Sequence, residues 1–191
     1  MSILPNGKKG ALMHEYVEKT VQKNYVYKGK ILSLRVDDAL LPNGTPCKRE
    51  IVDHSGGACA LYVEDNKILF VRQYRYAYGE SVYELPAGKC DIGENPAVAA
   101  ARELAEETGV LADKCTLFFE IYPSPGYTNE KIYVYLAEGG KRQPQKLDEG
   151  EFLDVVWLPI DKVKTMLRLG ELKDAKTIIA LQAYFLRENK L

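Results

Sequence analysis

One stretch of this sequence, residues 88–110, constrains the fold more than any other. Asn95 is a favourable N-cap, Pro96 suits the first helical position, and Gly109 suits the left-handed residue that ends many helices. The residues between them are mostly strong helix formers. The sequence therefore predicts a helix over residues 97–108, between two loops that contain glycine.

The predicted helix has two different faces. At about 100° per residue, its apolar residues fall on one side. These residues are Ala97, Val98, Ala101, Leu104 and Ala105. Because most of them are alanines, we expect the helix to lie close against a sheet or another helix.

The other face is acidic. Glu103, Glu106 and Glu107 gather there, and Arg102 is the adjacent counter-charge. Such a face is often simply solvated on an amphipathic helix. It could equally hold a divalent cation, because carboxylate oxygens suit Mg²⁺, Mn²⁺ or Ca²⁺ and no nearby Cys/His set would suit zinc. The helix by itself leaves both interpretations open.

The loop before the helix favours the cation. Gly88 is followed after five residues by Glu94 and after seven more by RELAEETGV at positions 102–110. This spacing resembles the Nudix box at every defining position. The resemblance implies a loop–helix–loop that binds divalent cations for hydrolysis of a nucleoside diphosphate linked to another moiety. Glu94 can join that metal site or brace it.

The resemblance also implies metal ligands. The Ala87 carbonyl oxygen and the carboxylates of Glu103, Glu106 and Glu107 are the expected set. Mg²⁺ is the expected cofactor, with Mn²⁺ as a substitute. Such cations polarise phosphoryl oxygens and lower the pKa of a bound water, which makes Glu103 and Glu107 catalytic residues as well as ligands.

A later acidic loop, residues 147–151, supplies further candidates. By the resemblance, Glu149 is the base that orients or deprotonates the attacking water, and Glu151 is an added metal ligand. A solvated turn is the alternative for such a loop. Glu130 competes with Glu149 as the base, although we assign it to substrate binding.

The segment SPGYTNE at 124–130 and the LPAG run at 85–88 resemble the ADP-ribose pyrophosphatase branch of the family. This resemblance implies that a small-molecule nucleotide sugar, ADP-ribose, is split into AMP and ribose 5-phosphate. Ser124, Gly126 and Glu130 would then hold the terminal ribose. Two alternatives remain: a hydrolase of another nucleoside diphosphate sugar, such as GDP-mannose or ADP-glucose, or a non-catalytic Nudix-fold nucleotide sensor.

Arg49, Glu50 and Arg75 complete the expected substrate-binding set. The two arginines match positions where relatives hold the diphosphate or the adenosine, and a guanidinium pairs bidentately with phosphate. Either arginine could instead be an ordinary surface charge. Five tyrosines remain open as stacking partners for adenine. They are Tyr27, Tyr74, Tyr76, Tyr78 and Tyr127.

Strands with few helices fill the rest of the chain. Two closing helices are predicted at 163–169 and 174–189. This pattern predicts an α/β (α+β) fold with a mixed sheet between helices, and the resemblance implies a Nudix-type α/β/α sandwich over residues 55–191. The last helix has an apolar stripe that we expect in the core. Its residues are Ile178, Ile179, Leu181, Ala183 and Leu186.

Residues 1–54 form an N-terminal extension. Residues 1–14 resemble a loose leader. Short β-prone runs at 23–27, 31–36, 39–41 and 47–53 predict a small antiparallel β-sheet. Such a sheet is too small to be stable alone, so we expect it to pack on the main domain or on a second subunit. The resemblance implies a homodimer formed through this sheet.

Composition excludes several other functions. The chain is 46% apolar and 28% charged with a net charge of −1, which gives no electrostatic case for nucleic acid or an anionic membrane as a partner. No apolar run approaches the roughly 20 residues of a membrane span, and no signal-peptide core is present. The four cysteines are widely spaced without a CxxC pair, which favours reduced thiols in a cytoplasmic protein.

Overall fold

The computed structural model describes residues 15–188, which divide into two compact units. The N-terminal unit ends at Val52 and the C-terminal unit begins at Asp53. Our expectations for residues 1–14 and for the helix end at Asn189 lie outside the described residues. No helix in residues 15–188 has the length and apolar character that a membrane crossing requires.

The N-terminal unit is built around one long strand. Its strands are β1 (Lys19–Gln22), β2 (Tyr25–Lys28), β3 (Leu32–Leu40) and β4 (Pro46–His54), the last of which runs on into the C-terminal unit. Strands β1 and β2 pair antiparallel with opposite ends of β3, and β4 also pairs with β3.

Strand β3 is continuous where the sequence predicted two short runs. Asp37 and Asp38 interrupt the apolar pattern, but both carboxylates have side-chain partners. Asp37 pairs with Arg35, and Asp38 pairs with Lys48 and accepts a hydrogen bond from Asn24. Paired carboxylates do not break a strand, so the pairing overrides the local composition.

The C-terminal unit contains nine strands and three helices among its described residues. The strands are β5 (Gly57–Glu64), β6 (Lys67–Arg75), β7 (Glu80–Glu84), β8 (Ala87–Lys89), β9 (Val110–Leu111), β10 (Lys114–Ile121), β11 (Ile132–Glu138), β12 (Lys141–Arg142) and β13 (Leu153–Pro159). The helices are α1 (Pro96–Thr108), α2 (Ile160–Leu169) and α3 (Ala175–Arg187).

Seven of these strands form one mixed sheet. Its order is β10-β11-β5-β6-β13, with β7 paired to β6 and β8 paired to β5. Strands β11 and β5 are parallel, and the other pairs are antiparallel. Strands β9 and β12 form a separate two-stranded ladder.

Alternating side chains on β5 give the sheet a helix layer on each face. Ala58, Ala60 and Tyr62 pack in the clusters that contain α1 residues. Cys59 and Leu61 pack in the cluster that contains residues of α2 and α3. Because successive residues of a strand point to opposite faces, one strand, buried over residues 57–62, serves both layers. The predicted α/β/α sandwich with a mixed sheet is confirmed.

Helix α1 is capped by the Asn95 side chain, as predicted, but the face through which it packs is only partly the predicted one. Val98 is exposed, whereas Ala99 and Ala100 are fully buried beside Ala58 of β5. The predicted apolar face was therefore wrong in part. The smaller side chains face the sheet because they allow the helix to approach it closely.

The predicted apolar stripe of α3 was also wrong in part. Ile179 and Leu186 are exposed, and the buried face instead contains two polar residues. The buried residues are Lys176, Thr177, Ala180, Leu181 and Phe185. A lysine is rarely buried unless it is paired, and Lys176 is paired with two carboxylates, described below.

Candidate active site

One arginine gathers the acidic side chains of α1 and its preceding loop. The Arg102 guanidinium lies 3.0 Å from Glu94, 2.8 Å from Glu103 and 3.0 Å from Glu106. Glu94 also accepts a hydrogen bond from the Asp91 backbone N–H at 2.9 Å. The hydrogen bond from Arg102 lowers the pKa of Glu94 most, and the bond from Asp91 lowers it further. In this arrangement Glu94 braces Arg102.

Glu107 is in a different environment. It is only 3% exposed, and its carboxylate accepts a hydrogen bond from the Ala87 backbone N–H at 2.9 Å. Burial is the main cause that raises its pKa to about 8, and the charges of Glu103 and Glu151 raise it further, against the opposing effects of Ala87 and Lys176. Within residues 15–188, no ion pair neutralises this carboxylate.

Gly88 lets Glu103 approach the loop. A side chain at Gly88 would collide with the Glu103 carboxylate in its present position, so glycine leaves room for this carboxylate beside the loop. Burial raises the pKa of Glu103, although the bond from Arg102 opposes this shift. The close approach therefore packs a second carboxylate against the loop that carries Ala87.

The acidic residues suit a hard divalent cation in chemistry but do not yet surround one. Within residues 15–188, no three His, Cys, Asp or Glu side chains lie close enough together to hold an ion as they stand. The reason is local: Arg102 holds Glu103 and Glu106, and the Ala87 N–H holds Glu107. A cation would compete with these donors for oxygen atoms that already face excess negative charge.

A pocket of about 240 Å³ adjoins this acidic region. It brings together three predicted site residues, Ala87, Arg75 and Glu130, with the basic side chains of Lys89 and Lys176. Its lining residues are His54, Gly57, Ala58, Arg75, Ala87, Gly88, Lys89, Glu130, Ile132 and Lys176. A wall with several basic groups suits an anionic ligand.

Other predicted site residues lie elsewhere in the C-terminal unit. Ser124 and Gly126 belong to the turn before Glu130, and neither is among the described residues that line the pocket. Glu149 is exposed on the turn before β13. Glu151 is partly buried, and its negative charge acts on Glu107. The structure thus gathers the α1 carboxylates with Glu151, and Arg75 with Glu130.

Arg49 and Glu50 lie on β4 in the N-terminal unit. The Arg49 guanidinium forms a two-point pair with Glu18, at 2.8 Å from Nε and 2.5 Å from Nη2. Glu50 is exposed. A phosphate that binds Arg49 would have to share the guanidinium with Glu18.

Sequence reasoning missed Glu84 and Lys176. The Glu84 carboxylate lies 2.5 Å from the Arg75 Nε and 2.5 Å from the Lys176 Nζ, and both Glu84 and Lys176 are buried. Helical spacing contained a usable signal, since Lys176 precedes the buried Ala180 by one turn. Successive residues of a strand point to opposite faces. Because Glu84 directly precedes the buried Leu85, this pattern places Glu84 on the other face and does not indicate that it is buried.

Comparison with known families identifies the fold and the box together. The NUDIX domain model matches residues 53–181, and the model described as nucleoside diphosphate sugar hydrolase N-terminal domain matches residues 18–52. The chain belongs to the Nudix family. The resemblance of residues 88–110 to the Nudix box is thereby confirmed. Nudix hydrolases generally use a divalent metal ion.

Individual relatives cover nearly the whole chain. An ADP-ribose pyrophosphatase of Bacillus subtilis is 40% identical over 179 residues, which are 92% of this chain and 97% of that protein. A methanol dehydrogenase activator of Bacillus methanolicus is 39% identical over 176 residues, 91% of this chain and 95% of that protein. The crystal structure of an ADP compounds hydrolase, 20% identical, matches with a TM-score of 0.78 over 91% of this chain and 97% of its own. That structure shows the shared Nudix fold.

Proposed function

We propose that this Nudix protein hydrolyses the diphosphate bond of ADP-ribose to give AMP and ribose 5-phosphate, with Mg²⁺ as its cofactor. The observation that carries the proposal is a buried, unneutralised carboxylate, Glu107, beside a pocket with a basic wall. A metal-dependent reaction on a pyrophosphate needs both features. The similarity to a relative named ADP-ribose pyrophosphatase supports the choice of substrate.

The α1 carboxylates would hold the metal. Glu103, Glu106 and Glu107, together with Glu151 and the Ala87 carbonyl oxygen, are the proposed ligands. When bound, the cation polarises phosphoryl oxygens and lowers the pKa of a bound water. Mn²⁺ is the expected substitute because it also prefers oxygen ligands.

The pocket would hold the diphosphate and the terminal ribose. Its volume of about 240 Å³ is small, since pockets for drug-sized ligands span about 300–1,000 Å³. We therefore place the adenosine outside it. Arg75 would bind the diphosphate, and Glu130 would bind the ribose with Ser124 and Gly126 from the neighbouring turn.

Three assignments rest mainly on motif position. Glu149 would be the base for the attacking water, and its exposed position in the ligand-free protein does not argue against this role because catalytic contacts often tighten only in the complex. Arg49 and Glu50 would contribute to the nucleotide side of the substrate. The competing base, Glu130, is tested below.

A homodimer is part of the proposal. Every residue of β1 and β2 is exposed, including Val21, Val26 and Tyr27. Strands with exposed apolar side chains usually have a partner. Light scattering on the purified protein should give twice the mass of one chain, and Val26→Asp should shift it toward monomer. A monomeric wild-type protein would contradict this assignment.

The location proposed for the protein is the cytoplasm. Cys47, Cys59, Cys90 and Cys115 are all free thiols, and free thiols suit a reducing compartment. Burial raises the pKa of the Cys59 thiol to about 12, so this thiol stays protonated and chemically inert at neutral pH.

A substrate panel tests the activity. The purified protein with Mg²⁺ is incubated with ADP-ribose, ADP-glucose, GDP-mannose and NADH, and the products are separated chromatographically. We expect the highest kcat/KM for ADP-ribose, with AMP and ribose 5-phosphate formed in equal amounts. A higher value for GDP-mannose or ADP-glucose would replace the substrate, and binding without turnover would identify a sensor instead of an enzyme.

A further inference from the structure

Three charged side chains from three elements meet at the wall of the pocket. Arg75 ends β6, Glu84 ends β7, and Lys176 lies in the first turn of α3. Glu84 accepts hydrogen bonds from Arg75 at 2.5 Å and 2.7 Å, and from Lys176 at 2.5 Å. Asp174 lies 3.1 Å from the same ammonium group. Two cations and two carboxylates therefore balance one another.

The Arg75 guanidinium is bound along one edge. Its Nε and Nη2 donate to the two oxygens of Glu84. A guanidinium has five N–H donors in a fixed fork, so this pairing leaves those of Nη1 for another acceptor. The side chain of Arg75 is 43% exposed, while that of Glu84 is 4% exposed. Arg75 is thus held along its Nε–Nη2 edge, and this partly exposed side chain lines the pocket.

Lys176 fixes the carboxylate in turn. Its ammonium binds the same Glu84 oxygen that accepts from Arg75 Nη2. Burial alone would lower the pKa of Lys176, but Asp174 and Glu84 together raise it, so the ammonium stays charged. Because the charges of the cluster sum to zero, the cluster does not need a bound substrate to be stable. Arg75 is therefore held in place before an anion binds.

We propose that Glu84 and Lys176 are positioning residues that fix the Arg75 guanidinium so that its open edge binds the diphosphate of the substrate. This inference rests on the proposed function, because it concerns the same pocket. It explains why charged residues are buried here at all, since a purely structural tie could be made without charges. A preorganised guanidinium loses less freedom on binding than a mobile one.

A structural role for the cluster makes a different prediction. Thr177, the neighbour of Lys176 in α3, accepts a hydrogen bond from the Leu85 backbone N–H at 2.9 Å and so ties α3 to the same strand region. Thr177→Val removes this tie without touching Arg75, Glu84 or Lys176. It is a matched control for simple loosening of α3.

The test is a double-mutant cycle on KM. We expect Lys176→Met and Arg75→Ala each to raise KM for ADP-ribose about tenfold, with kcat changed less than twofold. The double variant should be no worse than Arg75→Ala alone, because Lys176 acts through Arg75. Thr177→Val should keep the wild-type KM. Independent, multiplying effects of the two substitutions, or an equal rise of KM in Thr177→Val, would overturn the inference.

A second variant keeps the test decisive if Lys176→Met does not fold. Arg75→Lys retains the charge at a partly exposed position but cannot pair with both oxygens of Glu84 and still offer a fixed edge. We expect its KM to match that of Arg75→Ala. A wild-type KM in Arg75→Lys would show that charge alone suffices and would overturn the positioning role.

A binding measurement separates this inference from the proposed function. The same variants are titrated with ADP by calorimetry, which needs no turnover. If wild-type protein does not hydrolyse ADP-ribose, the proposed function fails, and the same pattern in ADP affinity still supports the positioning role. Equal ADP affinity in all variants, or no ADP binding to the wild type, would contradict the positioning role whatever the substrate.

Discussion

Two glutamates in the C-terminal unit are buried to the same extent but in opposite electrostatic environments. Glu84 and Glu107 are each 3% exposed. Glu84 is bound by Arg75 and Lys176, and although burial opposes it, this pairing lowers its pKa. Burial raises the pKa of Glu107 to about 8, and the charges of Glu103 and Glu151 add to the rise, against one backbone hydrogen bond from Ala87.

The difference in pKa between the two glutamates shows that the protein's own side chains neutralise Glu84 but not Glu107. A buried carboxylate is costly unless it is paired. The protein supplies cations to Glu84 and leaves Glu107 without one, within the described residues. A divalent cation bound at α1 would neutralise Glu107 in the same way that Arg75 and Lys176 neutralise Glu84. Substitution of one glutamate at a time separates the effects of the two environments.

The largest expected effect is on turnover. Glu107→Gln keeps the shape of the side chain but removes the negative charge that it would carry as a metal ligand, so it should lower kcat for ADP-ribose by about two orders of magnitude or more. The unfolding midpoint should change little, because a neutral amide suits the buried site. Steady-state kinetics and thermal unfolding measure both, and wild-type rates in this variant would remove Glu107 from the metal site.

The exposed Glu149 extends the comparison to a third carboxylate. If it is the base, Glu149→Gln should lower kcat about a hundredfold without changing stability, since its side chain is exposed. Glu130→Gln should act mainly on KM. Should Glu130→Gln prove more damaging to kcat, the roles of these two glutamates are reversed.

Glu84→Gln should behave in the opposite manner to Glu107→Gln. It leaves the buried Lys176 ammonium with one carboxylate fewer, and breaking a buried ion pair costs up to about 3–5 kcal/mol. Because Arg75 is partly solvated, we expect a loss at or below the lower limit of this range, about 2–3 kcal/mol of unfolding free energy. Denaturant unfolding measures it, and an unchanged midpoint would show that the cluster does not contribute to stability.

The smallest effect is a pH dependence of the metal-free protein. The pKa of Glu107 rises from 4.5 to about 8 on folding, so the native state holds a proton that the unfolded state has released between these values. Its contribution to stability is fully present below pH 4.5 and is lost as the pH rises to about 8. With EDTA present, the wild type should lose up to about 1.4 kcal/mol relative to Glu107→Gln when the pH is raised from about 6 to about 7. Parallel pH profiles of the two proteins would contradict the buried charge.

The fold was largely predictable because its signals are local. Asn95 and the residue types around it define α1, and the β-prone runs define most strands. The local pattern did not predict which face of α1 packs on the sheet. Ala99 and Ala100 face the sheet in place of Val98, because the shorter side chains allow a closer approach. The three-residue strand β8 forms through pairing with β5, and no propensity in Ala87–Lys89 indicated it.

Only the part of the site that lies within the Nudix motif was predictable from the sequence. The spacing from Gly88 to Glu107 indicated which carboxylates to examine, and the collision that a side chain at Gly88 would cause explains one fixed position of the box. The partners Glu84 and Lys176 are 92 residues apart in sequence. Only the packing of α3 against the sheet brings them together, so no pattern within one segment could have indicated the pair.

Mn²⁺ binding shows whether the α1 carboxylates form a metal site. Mn²⁺ is titrated into the wild type, Glu107→Gln and Glu171→Gln, and its binding is followed by electron paramagnetic resonance. Glu171 is an exposed glutamate of the same unit, so Glu171→Gln serves as a control. We expect the wild type and Glu171→Gln to bind Mn²⁺ equally, and Glu107→Gln to bind it at least about tenfold more weakly. No bound Mn²⁺ in the wild type, or equal affinity in all three proteins, would contradict a metal site at α1.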